Sequence, residues 1–231
     1  MKITVIGASG LIGAKVVDLL AADGHDVVAA SRRTGVDVLT GDGLADALSG
    51  ADALVDVLNS PSFDDDPVME FFTKSTTNLV VVAARAGVGH YVALSIVGID
   101  GLPGSGYARA KVVQEKIITE SGLPYTILRA TQFVEFTDAI TESMTVGDEV
   151  HVPDALIQPV PADDVAGDVA RAAVAAPLNG VVNIGGPQKI SFEQMARDTL
   201  ARRGEDKTVV VDPTARYFGA QLAERSLVTP D

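Results

Sequence analysis

Residues 3 to 13 read Ile3-Thr4-Val5-Ile6-Gly7-Ala8-Ser9-Gly10-Leu11-Ile12-Gly13. An apolar run precedes the glycines, and Ile12, Val16, Leu19 and Leu20 follow them at helical spacing, so the stretch predicts strand, tight turn and helix. A chain that passes from strand to helix within a few residues aims free backbone N–H groups and the positive end of the helix dipole at one point. That arrangement suits a pyrophosphate. Glycine is needed there because a Cβ would hold the phosphates off or forbid the turn. Gly7, Ser9, Gly10, Leu11, Ile12 and Gly13 are therefore expected to cradle the phosphates of a dinucleotide.

Outward from this turn the pattern alternates. Asp26–Ala30, Val36–Leu39, Ala53–Val57, Tyr91–Ile96 and Tyr125–Leu128 read as further strands, separated by helical or loop crossovers. Asp66 and Pro67 suggest the cap and first position of a long helix ending at Gly87, and a helix from Tyr107 stops near Gly122 and Pro124. Beyond Arg129 the reading is a helix over Thr131–Met144, a strand at Glu149–Val152, an extended piece at Ile157–Val160, a helix capped by Asp163 or Asp164, a strand at Val181–Ile184 and a helix from Ser191. The expectation is an α/β fold, a doubly wound parallel sheet of Rossmann type. No composition break divides it, so residues 1–231 form one domain, with a small C-terminal substrate lobe built mainly from 131–158 and 186–231.

Composition fits this layering. The chain has 231 residues, 47% hydrophobic and only 5% aromatic, with no Trp, and much of its apolar content is Ala and Val. Such strands suit a sheet buried between helices. A net charge of −13 argues against a surface for nucleic acid, which needs clustered Lys and Arg. Having no cysteine removes disulfides, thiolate catalysis and zinc–cysteine sites. The three histidines are far apart in sequence, so no metal site is expected. A strand from Lys2 leaves no room for a signal peptide, and no apolar run is long enough to span a bilayer. A soluble, cytoplasmic protein is expected, monomer or homodimer, acting on a small molecule.

The end of the second strand discriminates between nicotinamide cofactors. An acid there would bind the ribose hydroxyls of NAD, whereas arginine accommodates the additional phosphate of NADP. This strand leaves through Ser31-Arg32-Arg33. A hydroxyl and two guanidinium groups can hold a dianionic phosphate, so NADP is the expected cofactor. Val57, Leu58 and Asn59, following the fourth strand, should pass its adenine-ribose side.

Ser95 falls near the carboxyl end of a strand, and Tyr107 and Lys111 are one helical turn apart on one face. A phenol of pKa ~10 is a poor acid at neutral pH, but an adjacent ammonium would favour phenolate. Ser95 would hydrogen-bond a carbonyl oxygen and Tyr107 would donate the proton as hydride arrives from NADPH. Lys111 would tune Tyr107 and hold the nicotinamide ribose. By position, Thr131, Gln132 and Phe133 should lie beside the nicotinamide and substrate.

At these residues the sequence resembles a family. Gly7–Gly13, Ser95-Ile96-Val97-Gly98, Tyr107-Ala108-Arg109-Ala110-Lys111 and Ser121–Arg129 are similar to the atypical short-chain dehydrogenase/reductases, in the NmrA-like NAD(P)-binding branch, with the likeness running from Met1 to about Gly186. The resemblance implies the carbonyl-reducing triad of the wider superfamily at Ser95, Tyr107 and Lys111. It also implies NADPH-dependent reduction of a quinone-like or other small carbonyl compound. The branch also contains proteins that bind NADP as redox sensors without turnover, and the same serine, tyrosine and lysine can serve an isomerase or epimerase. Where the wider family often has Arg-Pro or Pro-Gly after the sixth strand, this chain has Arg129-Ala130-Thr131, so the carboxamide contacts do not carry over. The tail from Tyr217 would pack on the lobe or on a second subunit.

Overall fold

The computed structural model describes residues 1–230. The chain runs β1 (Lys2–Ile6), α1 (Leu11–Ala22), β2 (Asp26–Ala30), α2 (Leu44–Leu48), β3 (Ala53–Asp56), α3 (Asp65–Ala86), β4 (His90–Ile96), α4 (Gly106–Glu120) and β5 (Tyr125–Ala130). It continues through α5 (Thr137–Ser143), β6 (Thr145–Val146), β7 (Glu149–Val152), β8 (Leu156–Ile157), α6 (Ala162–Val174) and β9 (Gly180–Ile184). Last come β10 (Ile190–Ser191), α7 (Phe192–Arg203), β11 (Thr208–Val211), β12 (Arg216–Tyr217) and β13 (Ala220–Gln221).

The central sheet has six strands in the order β2-β1-β3-β4-β5-β9, all parallel. Its inner strands β1, β3, β4 and β5 are largely buried on both faces, which is why they read as nearly continuous apolar runs, whereas the edge strands β2 and β9 are partly exposed. Ile12, Val16 and Leu20 of α1 join Val165, Ala166 and Val169 of α6 on one face. Leu44 and Leu48 of α2, Leu79 and Ala83 of α3 and Ile118 of α4 cover the other. From β1 the chain goes to β2 on one side and crosses to β3 on the other. The helices that follow β1 and β3 therefore lie on opposite faces, leaving a crevice above the carboxyl ends of these strands. A third core lies beyond it, where the β11-β7-β6 sheet packs with α5 and α7 through Val150, Val152, Phe192, Met195 and Val209.

Several boundaries differ from the sequence reading, each for a local reason. Val36–Leu39 is not a strand: the Asp37 carboxylate accepts from the Leu39 N–H at 2.7 Å and Asp37 N–H donates to Asp42 O, which closes a turn. Val36 and Val38 are still buried beneath it. Residues 131–133 stay extended before α5, because Thr131 N–H bonds Ile184 O and Val160 N–H bonds Gln132 O. Asp64, not Asp66, precedes α3, and Pro161 precedes α6. The N–H of Ala162, which has no partner within α6, is accepted instead by the distant Glu135 carboxylate, at 3.1 and 3.2 Å. Ser191 does cap α7, its hydroxyl accepting from Gln194 N–H at 3.0 Å.

Candidate functional site

The glycine turn is folded tightly on itself. Gly7 adopts φ +85°, and a Cβ there would come within 2.9 Å of Val57 O; a Cβ on Gly13 would collide with the Gly7 carbonyl. Gly10 N–H closes the turn onto Gly7 O at 2.9 Å. No side chain caps α1, so its first N–H groups remain open toward the crevice. Glycines that a Cβ would fill, under an uncapped helix start, fit a dinucleotide's phosphates.

A cavity of about 1020 Å³ runs from this turn across the strand ends. Gly7, Ser9, Gly10, Leu11, Ile12, Ser31, Arg32, Val57, Leu58, Asn59, Ser95, Tyr107, Lys111, Thr131, Gln132 and Phe133 all line it. Two residues expected at the cofactor do not: Gly13 packs helix against turn, and Arg33 lies outside the lining. The Ser31–Thr34 turn separates the adjacent arginines. Its Ser31 N–H donates to Thr34 Oγ1 at 2.9 Å, and only Arg32 faces the crevice.

Ser95 sits two residues beyond Ala93 on β4, hence on the same face of the sheet, toward α3 and α4. It is 3% exposed and its hydroxyl has no hydrogen-bond partner among the described residues. Ser105 starts α4 by accepting from Ala108 N–H, which sets Tyr107 and Lys111 in the first turns of that helix. The Tyr107 hydroxyl donates to Asn59 Oδ1 at 2.8 Å, and burial raises its pKa above the usual phenol value. Phe63 stacks on its ring at 5.4 Å and Phe72 meets it edge-on.

Lys111 behaves differently from the expectation that it tunes the phenol. Its ammonium, 2% exposed, donates to Leu94 O at 2.8 Å and to Gln114 Oε1, and lies 4.7 Å from the centre of the Phe72 ring. Burial pushes its pKa down to about 8, against the opposing pull of Asp56 and Glu115. Two of its three N–H groups are used by protein, leaving one for the cavity. The phenol is therefore held as a neutral donor. Thr131 is likewise committed: its hydroxyl donates to Gln158 O, so only its neighbours Gln132 and Phe133 have side chains free to meet a ligand. The amide oxygen of Gln132 is buried without a partner among the described residues.

Some features had no signal in the sequence. Asp56, fully buried at the end of β3, accepts from Tyr91 Oη at 2.8 Å and from Gln114 Nε2 at 2.9 Å. Arg129 clamps the Gly98–Gly106 loop and α4 together, bonding Asp100 once and Glu115 twice. Phe63, Phe71, Tyr107, Phe133, Phe136, Tyr217 and Phe218 all line the cavity, seven of the eleven aromatic residues in the chain. Among the described residues, Arg32 and Lys111 are the cations on its lining. Among the described residues no group of three or more His, Cys, Asp or Glu could hold a metal ion, and no helix is long and apolar enough to cross a membrane.

The family model described as NAD(P)H-binding matches residues 7–177, which spans the sheet from the glycine turn through α6. The chain belongs to this NAD(P)H-binding family. The solved structures it resembles share its Rossmann arrangement. A dTDP-4-dehydrorhamnose reductase from Clostridium acetobutylicum is 18% identical, covering 98% of this chain and 91% of that one, with a TM-score of 0.73. MoeE5 in complex with UDP-glucose and NAD is 21% identical over 95% and 87%, TM-score 0.72. The Citrobacter sp. triphenylmethane reductase complexed with NADP(H) is 20% identical over 93% and 80%, TM-score 0.69. Among curated proteins, the photosystem II assembly factor Ycf39 of Synechocystis sp. is 24% identical over 149 residues, and that of Cyanophora paradoxa 27%. The alignment with each takes in 58% of this chain, which spans about half, 46%, of the length of these relatives.

Proposed function

We propose that this NAD(P)H-binding protein is an NADPH-dependent reductase of the short-chain dehydrogenase/reductase type, acting on a small, uncharged carbonyl or quinone-like acceptor. The observation that carries the reading is a buried serine hydroxyl without a partner in the same cavity as a neutral tyrosine hydroxyl and a buried lysine. NADPH, when bound, supplies the hydride. Ser95 donates a hydrogen bond to the acceptor's carbonyl oxygen, satisfying a hydroxyl that the protein leaves unpaired. Tyr107 turns its O–H from Asn59 to that oxygen and gives it the proton, so that hydride on carbon and proton on oxygen yield the alcohol or, from a quinone, the hydroxydienone that tautomerises to the hydroquinone. Lys111 uses its remaining N–H to fix the ribose, and Arg32 holds the additional phosphate of NADP.

Two solved neighbours carry sugar nucleotides or are named for a nucleotide-linked sugar, which makes an epimerase or nucleotide-sugar enzyme the natural rival. The acceptor half of this cavity argues against it. A second pyrophosphate needs cations, and Arg32 stands at the end of β2, three strand spacings or about 14 Å from β4. Lys111 is already bonded within the protein. A binding-only role is the second reading, supported by the name of the assembly-factor relatives.

The test is loss of reduced-nicotinamide absorbance with a panel of ketones, aldehydes and quinones. The expected result is turnover that falls about 10²–10⁴-fold in Ser95→Ala and Tyr107→Phe while NADPH affinity holds. Binding of NADPH with no turnover on any acceptor would support the binding-only reading and reject the reductase.

A further inference from the structure

The tip of the C-terminal hairpin is built against its own turn chemistry. β12 and β13 pair antiparallel, Arg216 with Gln221 and Tyr217 with Ala220, leaving Phe218 and Gly219 as a two-residue turn. Their φ values are +44° and +83°, the left-handed pair that such turns require and that Asn-Gly supplies without strain. A bulky aromatic in the first position is unfavourable for the turn. The ring does not repay that by burial, since Phe218 is 53% exposed. It does line the cavity, edge-on to Tyr217 with ring centres 4.7 Å apart.

The hairpin is held in place. A Cβ on Gly104 would come within 3.1 Å of Gly219 O, and one on Gly219 within 3.1 Å of Gly104 O, so the tip abuts the Gly98–Gly106 loop backbone to backbone. A Cβ on Gly98 would collide with Ser226 O. Ala220 and Leu227 are buried, and Leu227 forms a bridge with Ile157 of β8. Tyr217 packs on Phe192 at 5.7 Å, and its hydroxyl makes no hydrogen bond among the described residues. Burial raises the Tyr217 phenol's pKa, and the neighbouring Tyr107 adds to the rise.

We propose that the hairpin tip, Phe218 supported by Tyr217, is the specificity-determining wall of the acceptor site and selects a flat, uncharged aromatic acceptor. This rests on the reading of the cavity as a reductase site. Phe63, stacked on Tyr107, and the Phe133–Phe136 pair at 5.6 Å supply further aromatic surface to the same cavity. A planar ring system gains from such edge and face contacts, whereas an aliphatic carbonyl compound gains little. Asp65, two residues from Phe63 on this lining, has its carboxylate paired with Arg109 at 2.6 Å.

The test is Phe218→Asn, which suits the turn and removes the wall, with Phe218→Tyr as the conservative rescue. Melting temperature should stay level or rise in Phe218→Asn. The KM for 1,4-naphthoquinone should rise about tenfold or more relative to that for butane-2,3-dione while NADPH affinity holds, and Phe218→Tyr should restore the low KM. Independently of turnover, equilibrium dialysis should show 2-naphthol, which accepts no hydride, binding the NADP-loaded wild type and losing about tenfold in affinity in Phe218→Asn. Unchanged naphthoquinone KM and 2-naphthol affinity, or a lowered melting temperature, overturns the proposal. Loss of 2-naphthol binding in a protein that reduces nothing would keep the wall and reject the reductase; the reverse result would do the opposite.

Discussion

Buried polar residues set the chemistry of Lys111. An ionised Asp56 accepts hydrogen bonds only, so the Gln114 amide must turn its NH2 toward Asp56 and its oxygen toward Lys111. The lysine is thereby poled by a carboxylate it does not touch. Its folded pKa of about 8 lies below the usual lysine value because burial outweighs Asp56 and Glu115. The cation is therefore present below about pH 8 and lost above it. NADPH affinity should fall across an alkaline limb near pH 8. In Asp56→Asn the opposing pull is removed, so the limb should move to lower pH; binding titrations from pH 6 to 9.5 check this. A limb that stays in place would separate Asp56 from Lys111. Nothing in the spacing of Asp56 and Gln114 announces this link, since 58 residues separate them.

At the scale of elements, the glycine turn couples strand, helix and crevice. A Cβ on Gly13 would strike the Gly7 carbonyl, a backbone atom that no rotamer change can move aside. Gly13→Ala should therefore cost about 1–3 kcal/mol of stability and weaken NADPH binding, because the turn must open to admit the methyl. A thermal melt and a binding titration measure the two; unchanged values would show that the turn has slack. This element was legible in the sequence because its signal is local: a strand, three glycines and a helix lie within about twenty residues. Val36–Leu39 departs from its strand-like composition for the converse reason. It has the composition of a strand, yet the Asp37 side chain captures the Leu39 N–H before any neighbouring strand can. The extended path of residues 131–133 was hidden because its partners, Val160 and Ile184, come from distant parts of the chain.

Across the whole molecule, a chain of net charge −13 has to attract an anionic cofactor. Arg32 lines the crevice and neither it nor Arg33 has an ion-pair partner among the described residues. Arg32→Ala should weaken NADPH much more than NADH, by about tenfold or more for a lost charge-assisted pair. Equal losses for the two cofactors would reject the phosphate assignment. Sequence by itself determined the parallel sheet, the glycine turn at its switch point, and the gathering of Ser95, Tyr107 and Lys111 at its carboxyl edge. Those follow from short-range periodicity and from the rule that parallel strands present all their carboxyl ends on one side. Only the tertiary structure decided that Arg32 and not Arg33 faces the crevice, that Lys111 turns to Gln114 rather than to the phenol, and that seven aromatics converge on one cavity. The last depends on a tail that folds back more than a hundred residues to Gly98 and Gly104, and such a contact is set by three-dimensional packing, which leaves no period in the sequence.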